Sequence, residues 1–304
     1  EKEVPIPQPT KIRKLFQKIW QSCPDIEVLH LDNANPAVIA SYPEKSKDIL
    51  KTLVEFTTAG NILALGLESA DPQVIEKNNL NANLDMTRKA VEIINEVGRE
   101  RGENGMPKLL PGINFLAGLK GEREKTFEKN FKFLKSLLDE DLWLRRINIR
   151  QVLSNQEDFH MKNQSEFEKF KEKTRKEIDK PLLEKMFPKG TVLKNIFMEK
   201  KDGNKTFGRQ VGTYPLLIGV EYPLDLNSYY NIMVTDHGYR SITGIQHPLK
   251  IPKSSFEELK AVPGIGSKRA AKIFRERPES KEKFIQLFQN KNTGNELMKY
   301  LSFD

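Results

Sequence analysis

Residues 109–122 read LLPGINFLAGLKGE, and the order of residue types in that stretch decides the fold. Ile113, Phe115 and Leu116, bounded by Pro111 and Gly112, make a short buried strand. Gly118 and Gly121 supply a turn, and Glu122 opens an amphipathic run. A strand that feeds a helix through a glycine-rich turn is the unit of a parallel α/β protein, in which ligands gather at the strand carboxyl ends.

The same unit recurs on both sides. Upstream, residues 62–67 form a strand that ends in Glu68, Ser69 and Asp71, and a helix follows over 84–98. Earlier still, IEVLHL at 26–31 reads as a strand breaking into the polar turn Asp32, Asn33, Ala34, Asn35, Pro36, and helix 44–56 gathers Ile49, Leu50, Leu53 and Val54 on one face. Downstream, helix 124–138 leads to strand 146–153. The proline-rich opening EKEVPIPQP reads as a connecting loop, and Thr10 is placed as the cap of a helix ending before Pro24. Four strands separated by helices imply right-handed crossovers in one parallel sheet, and their nearly continuous apolar runs imply cover on both faces. Polar residues collect where the strands end: Asn33 and Asn35, Glu68 and Ser69, Gly118 to Glu122, Arg150 and Gln151.

At 304 residues the chain can hold two or three domains, here divided as 1–187, 188–250 and 251–304. A net charge of +8 points to a polyanionic partner, with a solvated basic surface as the plain alternative. The single cysteine, Cys23, excludes a disulfide framework or a multi-thiolate metal site and reads as a buried thiol. His30, His160, His237 and His247 show no metal spacing, and no nucleophilic triad or phosphate-binding loop is present. With no signal peptide or membrane-spanning run, the expected location is cytoplasmic. A charged helix over 165–187, kinked at Pro181, closes the α/β part.

The texture then changes. From 191 to 245, short alternating segments around a DGNK turn read as an antiparallel β-barrel of five strands. Beyond it, LKAVPGIGSKRAAKI at 259–273 places a tight turn, Pro263 to Gly266, between two helices. Gly264 and Gly266 admit close backbone approach, and Ile265, Ser267, Lys268 and Arg269 surround a helix N-terminus suited to a phosphate. Cations in a first helical turn are better explained by a bound anion than by helix stability.

Those residues resemble a helix-hairpin-helix motif, which implies contact with nucleic-acid backbone; packing or protein contact is the alternative. The barrel, from GTVLKNIFMEKKDGNKTFGRQVGTYPLLI to VTDHGYRSITG, resembles a TRAM domain of the OB type. That implies RNA binding through Lys200, Lys201, Lys205, Arg209 and Arg240 with Phe207, Tyr214 and Tyr239. GLES at 66–69, followed by PGINFLAGLKGE, resembles the later strands of a radical S-adenosylmethionine enzyme, a partial (β/α)6 barrel covering roughly residues 10–187. The resemblance implies S-adenosylmethionine at the strand carboxyl ends, held by Glu68, Ser69, Asn114, Gly118 and Arg150, and a [4Fe-4S] cluster. The three-cysteine loop that holds the cluster is absent here. The four strands would match the third to sixth of the barrel, so the chain is expected to be the C-terminal portion of a longer protein, its barrel completed by an upstream region or a second chain. A nucleic-acid-binding protein with a purely structural α/β part is the alternative from another class.

Overall fold

The computed structural model describes residues 4–152 and 162–303; His160 and the expected strand end at Leu153 lie outside them. Two compact units emerge, one running to Met186 and including Gly212–Tyr214, the other holding Phe187–Val211 and Pro215–Asp304.

The first unit opens with α1 (Pro9–Ser22), where proline takes the first helical position and Gln8 the cap position. Thr10 is therefore inside the helix, because proline's fixed φ already suits the first turn. Cys23, expected to be buried, is exposed. Residues 26–31 are not a ladder strand. Leu29 N–H donates to Thr58 Oγ1 at 3.1 Å and Leu31 N–H to Asn61 Oδ1 at 3.1 Å, so side chains take the donors a neighbouring strand would need. Regular pairing is confined to β1 (Asn33–Ala34). The supposed turn at Asn35 and Pro36 is the start of α2 (Pro36–Ser41), Asn35 Oδ1 accepting from Ala37 N–H at 2.9 Å. There follow α3 (Pro43–Phe56), β2 (Asn61–Glu68), α4 (Pro72–Lys77), α5 (Leu84–Gly98), β3 (Leu109–Ala117), α6 (Glu124–Asp139) and β4 (Arg146–Gln151). All strand pairs are parallel, in the order β1-β2-β3-β4.

One face of this sheet is packed. Leu65, Leu67, Ile113, Phe115 and Ile147 are at most 1% exposed, and Phe115 meets Phe170 edge to face at 5.7 Å. The alternate residues differ along the strands. Ala64 and Gly112 are buried, but Gly66, Asn114, Leu116, Arg146 and Asn148 are half-buried and Arg150 is exposed. The expectation of cover on both faces thus fails toward the carboxyl ends, where polar side chains alternate with the core residues.

After β4 come α7 (Gln164–Thr174), a π-helical turn at Arg175–Asp179, and α8 (Lys180–Met186). Pro181 cannot donate to the carbonyl four residues earlier, and the widened turn lies just N-terminal to it.

In the second unit β5 (Val192–Asp202), β6 (Lys205–Arg209), β7 (Leu217–Val220), β8 (Tyr229–His237) and β9 (Ser241–Gln246) close into a barrel in the order β5-β6-β7-β9-β8. β7 and β9 run parallel, so the barrel is mixed rather than wholly antiparallel. Ile196, Met198, Ile218, Val220, Ile232 and Val234 fill it. The chain continues through β10 (Leu249–Lys250), α9 (Phe256–Ala261), α10 (Ser267–Glu276), α11 (Lys281–Gln286), α12 (Lys291–Leu297) and β11 (Leu301–Ser302), which pairs back onto β10. No described helix is long and apolar enough to cross a membrane.

Candidate functional site

The ladder sets Gly66, Asn114 and Asn148 side by side on the open half of the sheet, where Asn148 Nδ2 donates to Asn114 Oδ1 at 3.3 Å. Leu116 and Arg150 form the next row. At the end of β2 the register slips between Gly66 and Glu68, and Glu68 takes φ 65°. A side chain at 66 would bring its Cβ within 2.9 Å of Glu68 Oε1, so the carboxyl lies over the glycine. Burial pushes the Glu68 pKa up. Beside it opens a cavity of about 440 Å³, lined by Asn33 and Ala34 of β1, by Asn35 and Pro36 after it, by Gly66 and Glu68, and by residues 79–81.

The other expected cofactor residues divide. Ser69 is 1% exposed and its Oγ accepts from Asp71 N–H at 3.1 Å, so it is spent on the turn. Asp71, itself fully buried, accepts from Lys129 Nζ at 2.7 Å, Thr126 Oγ1 at 2.8 Å and Arg123 at 3.2 Å. Burial alone would raise its carboxyl, but those donors and Gln73 N–H outweigh it and hold the pKa at about 2. Gly118, at φ 91°, donates its N–H to Glu122 Oε2 at 3.0 Å; the glycine-rich turn closes on its own carboxylate. Burial raises the Glu122 pKa against that bond. Glu68, Asn114 and Arg150 remain on the open face.

Sequence reasoning missed several neighbours. Tyr214, expected on the barrel, belongs to the first unit, where its hydroxyl donates to Asp32 and its ring lies 3.8 Å from the Arg146 guanidinium. Thr213 N–H donates to His30 Nδ1 at 3.1 Å, and His30 Nε2 faces Thr58 O at 3.0 Å. Both ring nitrogens are engaged, and burial lowers the His30 pKa, so it is a neutral structural residue. Arg146 and Asn148 were legible in the alternation RINIR, and residues 79–81 in the asparagine-rich run NNLNAN.

On the barrel, Phe197 and Tyr229 stack at 5.2 Å, with Tyr229 60% exposed. Arg209 stands opposite Phe197, and Lys200 opposite Phe207. Arg209 pairs with Glu199 at 3.0 Å and Lys205 with Glu221 at 2.7 Å.

In the helical segment Gly264 takes φ 88°, while Gly266 has the ordinary φ of −78° and a Cβ there would meet nothing within 4 Å. Ile265 is 2% exposed and anchors the turn in the core. Gly266 caps α10 without a side-chain bond, which leaves the first-turn N–H groups of Ser267 and Lys268 facing outward. Arg269 donates to Gly264 O at 2.6 Å, bracing the turn; Lys268 is exposed. Among the described residues no group of three or more His, Cys, Asp or Glu side chains could hold a metal ion.

No family model matches the sequence. An uncharacterised protein of Archaeoglobus fulgidus is 41% identical over 283 residues, covering 90% of this chain and 53% of the relative. An uncharacterised protein of Methanocaldococcus jannaschii is 47% identical over 254 residues, covering 80% and 47%. The chain therefore spans about half the length of the curated relatives it matches. Among solved structures, the radical S-adenosylmethionine methyltransferase TsrM from Kitasatospora setae, bound to tryptophan and an S-adenosylmethionine analogue, aligns at a TM-score of 0.31 and 14% identity. That alignment covers 46% of this chain and 23% of TsrM.

Proposed function

We propose that this chain is the later-strand, C-terminal part of a radical S-adenosylmethionine enzyme that modifies a nucleic acid, RNA before DNA. The observation that carries the reading is the half-open sheet face, on which Glu68, Asn114 and Arg150 stand at strand carboxyl ends. A carboxylate and a carboxamide satisfy ribose hydroxyls, and a guanidinium pairs with the methionyl carboxylate. Once bound, S-adenosylmethionine would supply a sulfonium carbon–sulfur bond that breaks on one-electron reduction, the electron coming through the cluster; the part of this chain is to orient it. The cluster does not fit these residues. Among those described there is no ligand set, and the single cysteine is exposed, so the iron ligands would come from outside this chain.

The barrel supports the nucleic-acid half of the reading. Its strand order, with the third and fifth strands parallel, supports the reading of an OB-type barrel of the TRAM kind. Phe197, Tyr229 and Phe207 beside Lys200 and Arg209 offer stacking next to phosphate neutralisation. The turn at Gly264 and Gly266 supports a helix-hairpin-helix that grips backbone. A second reading, a nucleic-acid binder with a structural α/β part, draws on the consumption of Ser69 and Gly118 by their own turns.

Titrating S-adenosylhomocysteine into the gene-length protein separates the two. Binding is expected, and Glu68→Gly should reduce it tenfold or more while raising stability by up to about 1 kcal/mol, since glycine accepts the left-handed backbone freely. Absence of binding to the wild-type protein would leave only the second reading.

A further inference from the structure

The cavity beside Glu68 has a chemistry of its own. Among the described residues no lysine or arginine lines it, so a phosphate or carboxylate would enter without a counter-charge from them. Among the described residues the one ionisable side chain that lines it is Glu68, which burial pushes toward the protonated form. The remaining polar side chains that line it are carboxamides, Asn33, Asn35, Asn79 and Asn81; Asn35 Oδ1 already accepts from Ala37 N–H, which leaves its Nδ2 as a donor. A carboxamide presents a donor and an acceptor side by side, the pattern that matches the edge of a nucleobase. Pro36 and Leu80 add apolar surface for a ring. Two lining residues, Glu68 at φ 65° and Asn79 at φ 50°, hold the left-handed backbone that non-glycine residues avoid, and such strain concentrates where a site must be preorganised. The volume of about 440 Å³ lies within the range of roughly 300–1,000 Å³ usual for small-ligand pockets and leaves space for a base with its ribose.

We propose that this cavity receives one nucleobase of the nucleic-acid substrate, its hydrogen-bonding edge held between asparagine carboxamides, beside the cofactor's place on the sheet face. This rests on the function proposed above. A splayed-out base read on its edge is the usual form of sequence-specific recognition in single-stranded RNA.

The test uses the gene-length protein and the four uncharged ribonucleosides, titrated by calorimetry with saturating S-adenosylhomocysteine present. Nucleosides carry no phosphate, so the basic surfaces contribute nothing, and the cofactor's place is already occupied. At least one nucleoside should bind. Asn33→Ala combined with Asn81→Ala should weaken it tenfold or more; both residues are exposed, so the core is untouched. Asn33→Asp, which keeps the shape and loses the donor, should change which nucleoside is preferred. Binding of a mixed-sequence RNA octamer, measured alongside, separates the two levels of the claim. If the octamer binds and no nucleoside does, the pocket assignment fails and the proposed function stands; if neither binds, both fall. Nucleoside binding that is indifferent to the asparagine variants, or that S-adenosylhomocysteine displaces, also overturns the assignment.

Discussion

Asp71 shows how an acidic residue just after a strand can be a fastener. It sits at the N-cap of α4, its side chain accepting from Gln73 N–H at 3.3 Å, and it draws Lys129, Thr126 and Arg123 of the α6 region onto one carboxylate. Its pKa of about 2 lies below that of an unfolded aspartate, so its contribution is present above the unfolded value and lost as pH falls through the folded one. On the order of 2 kcal/mol should therefore disappear between about pH 4 and pH 2. Urea unfolding followed across that interval should show the loss in the wild type and a flatter profile in Asp71→Asn. In sequence Asp71 could not be told from Glu68, since both are acidic residues following the same strand. Their roles were set by partners supplied from Arg123 to Lys129, some fifty residues away.

At the scale of elements, long periodic segments were legible and short ones were not. The helix read over 84–98 coincides with α5, because many turns repeat the same apolar spacing. The two-residue β1 and the six-residue α2 repeat too little for periodicity to register, and their positions depend on where Thr58 and Asn61 place hydrogen-bonding side chains. The glycine pair before α10 yields a test that sequence alone could not define. Gly264→Ala should cost about 1–2 kcal/mol in thermal or urea unfolding, because φ 88° penalises any Cβ. Gly266→Ala should leave stability within about 1 kcal/mol and still weaken nucleic-acid binding, because its Cβ points into open space in front of the helix N-terminus. Lys268→Glu should weaken binding across sequences alike. Arg269, braced against Gly264 O, belongs with the stability variants.

For the molecule as a whole, charge and pairing carry different amounts of information. The excess of 50 basic over 42 acidic residues is visible at once and leads to a direct expectation. Affinity of the full chain for nucleic acid should fall by on the order of 10- to 100-fold between 50 and 200 mM salt if about two to four phosphates are neutralised. A flat salt dependence in a filter-binding series would contradict a backbone-gripping role. Strand order is less visible. The parallel β7–β9 pair joins Leu217 to Ser241 across an intervening strand, and no local turn residue announces it.

The placement of Gly212–Tyr214 within the first unit bears on how the protein is made. Asp32 and His30 leave the ribosome some 180 residues before Tyr214 and Thr213 do. Domains generally fold as they emerge, N-terminal first, at about 5–20 residues per second. The α/β unit must therefore wait on the order of ten seconds of translation, with His30 and Asp32 lacking these partners, until a segment encoded far downstream arrives to supply them.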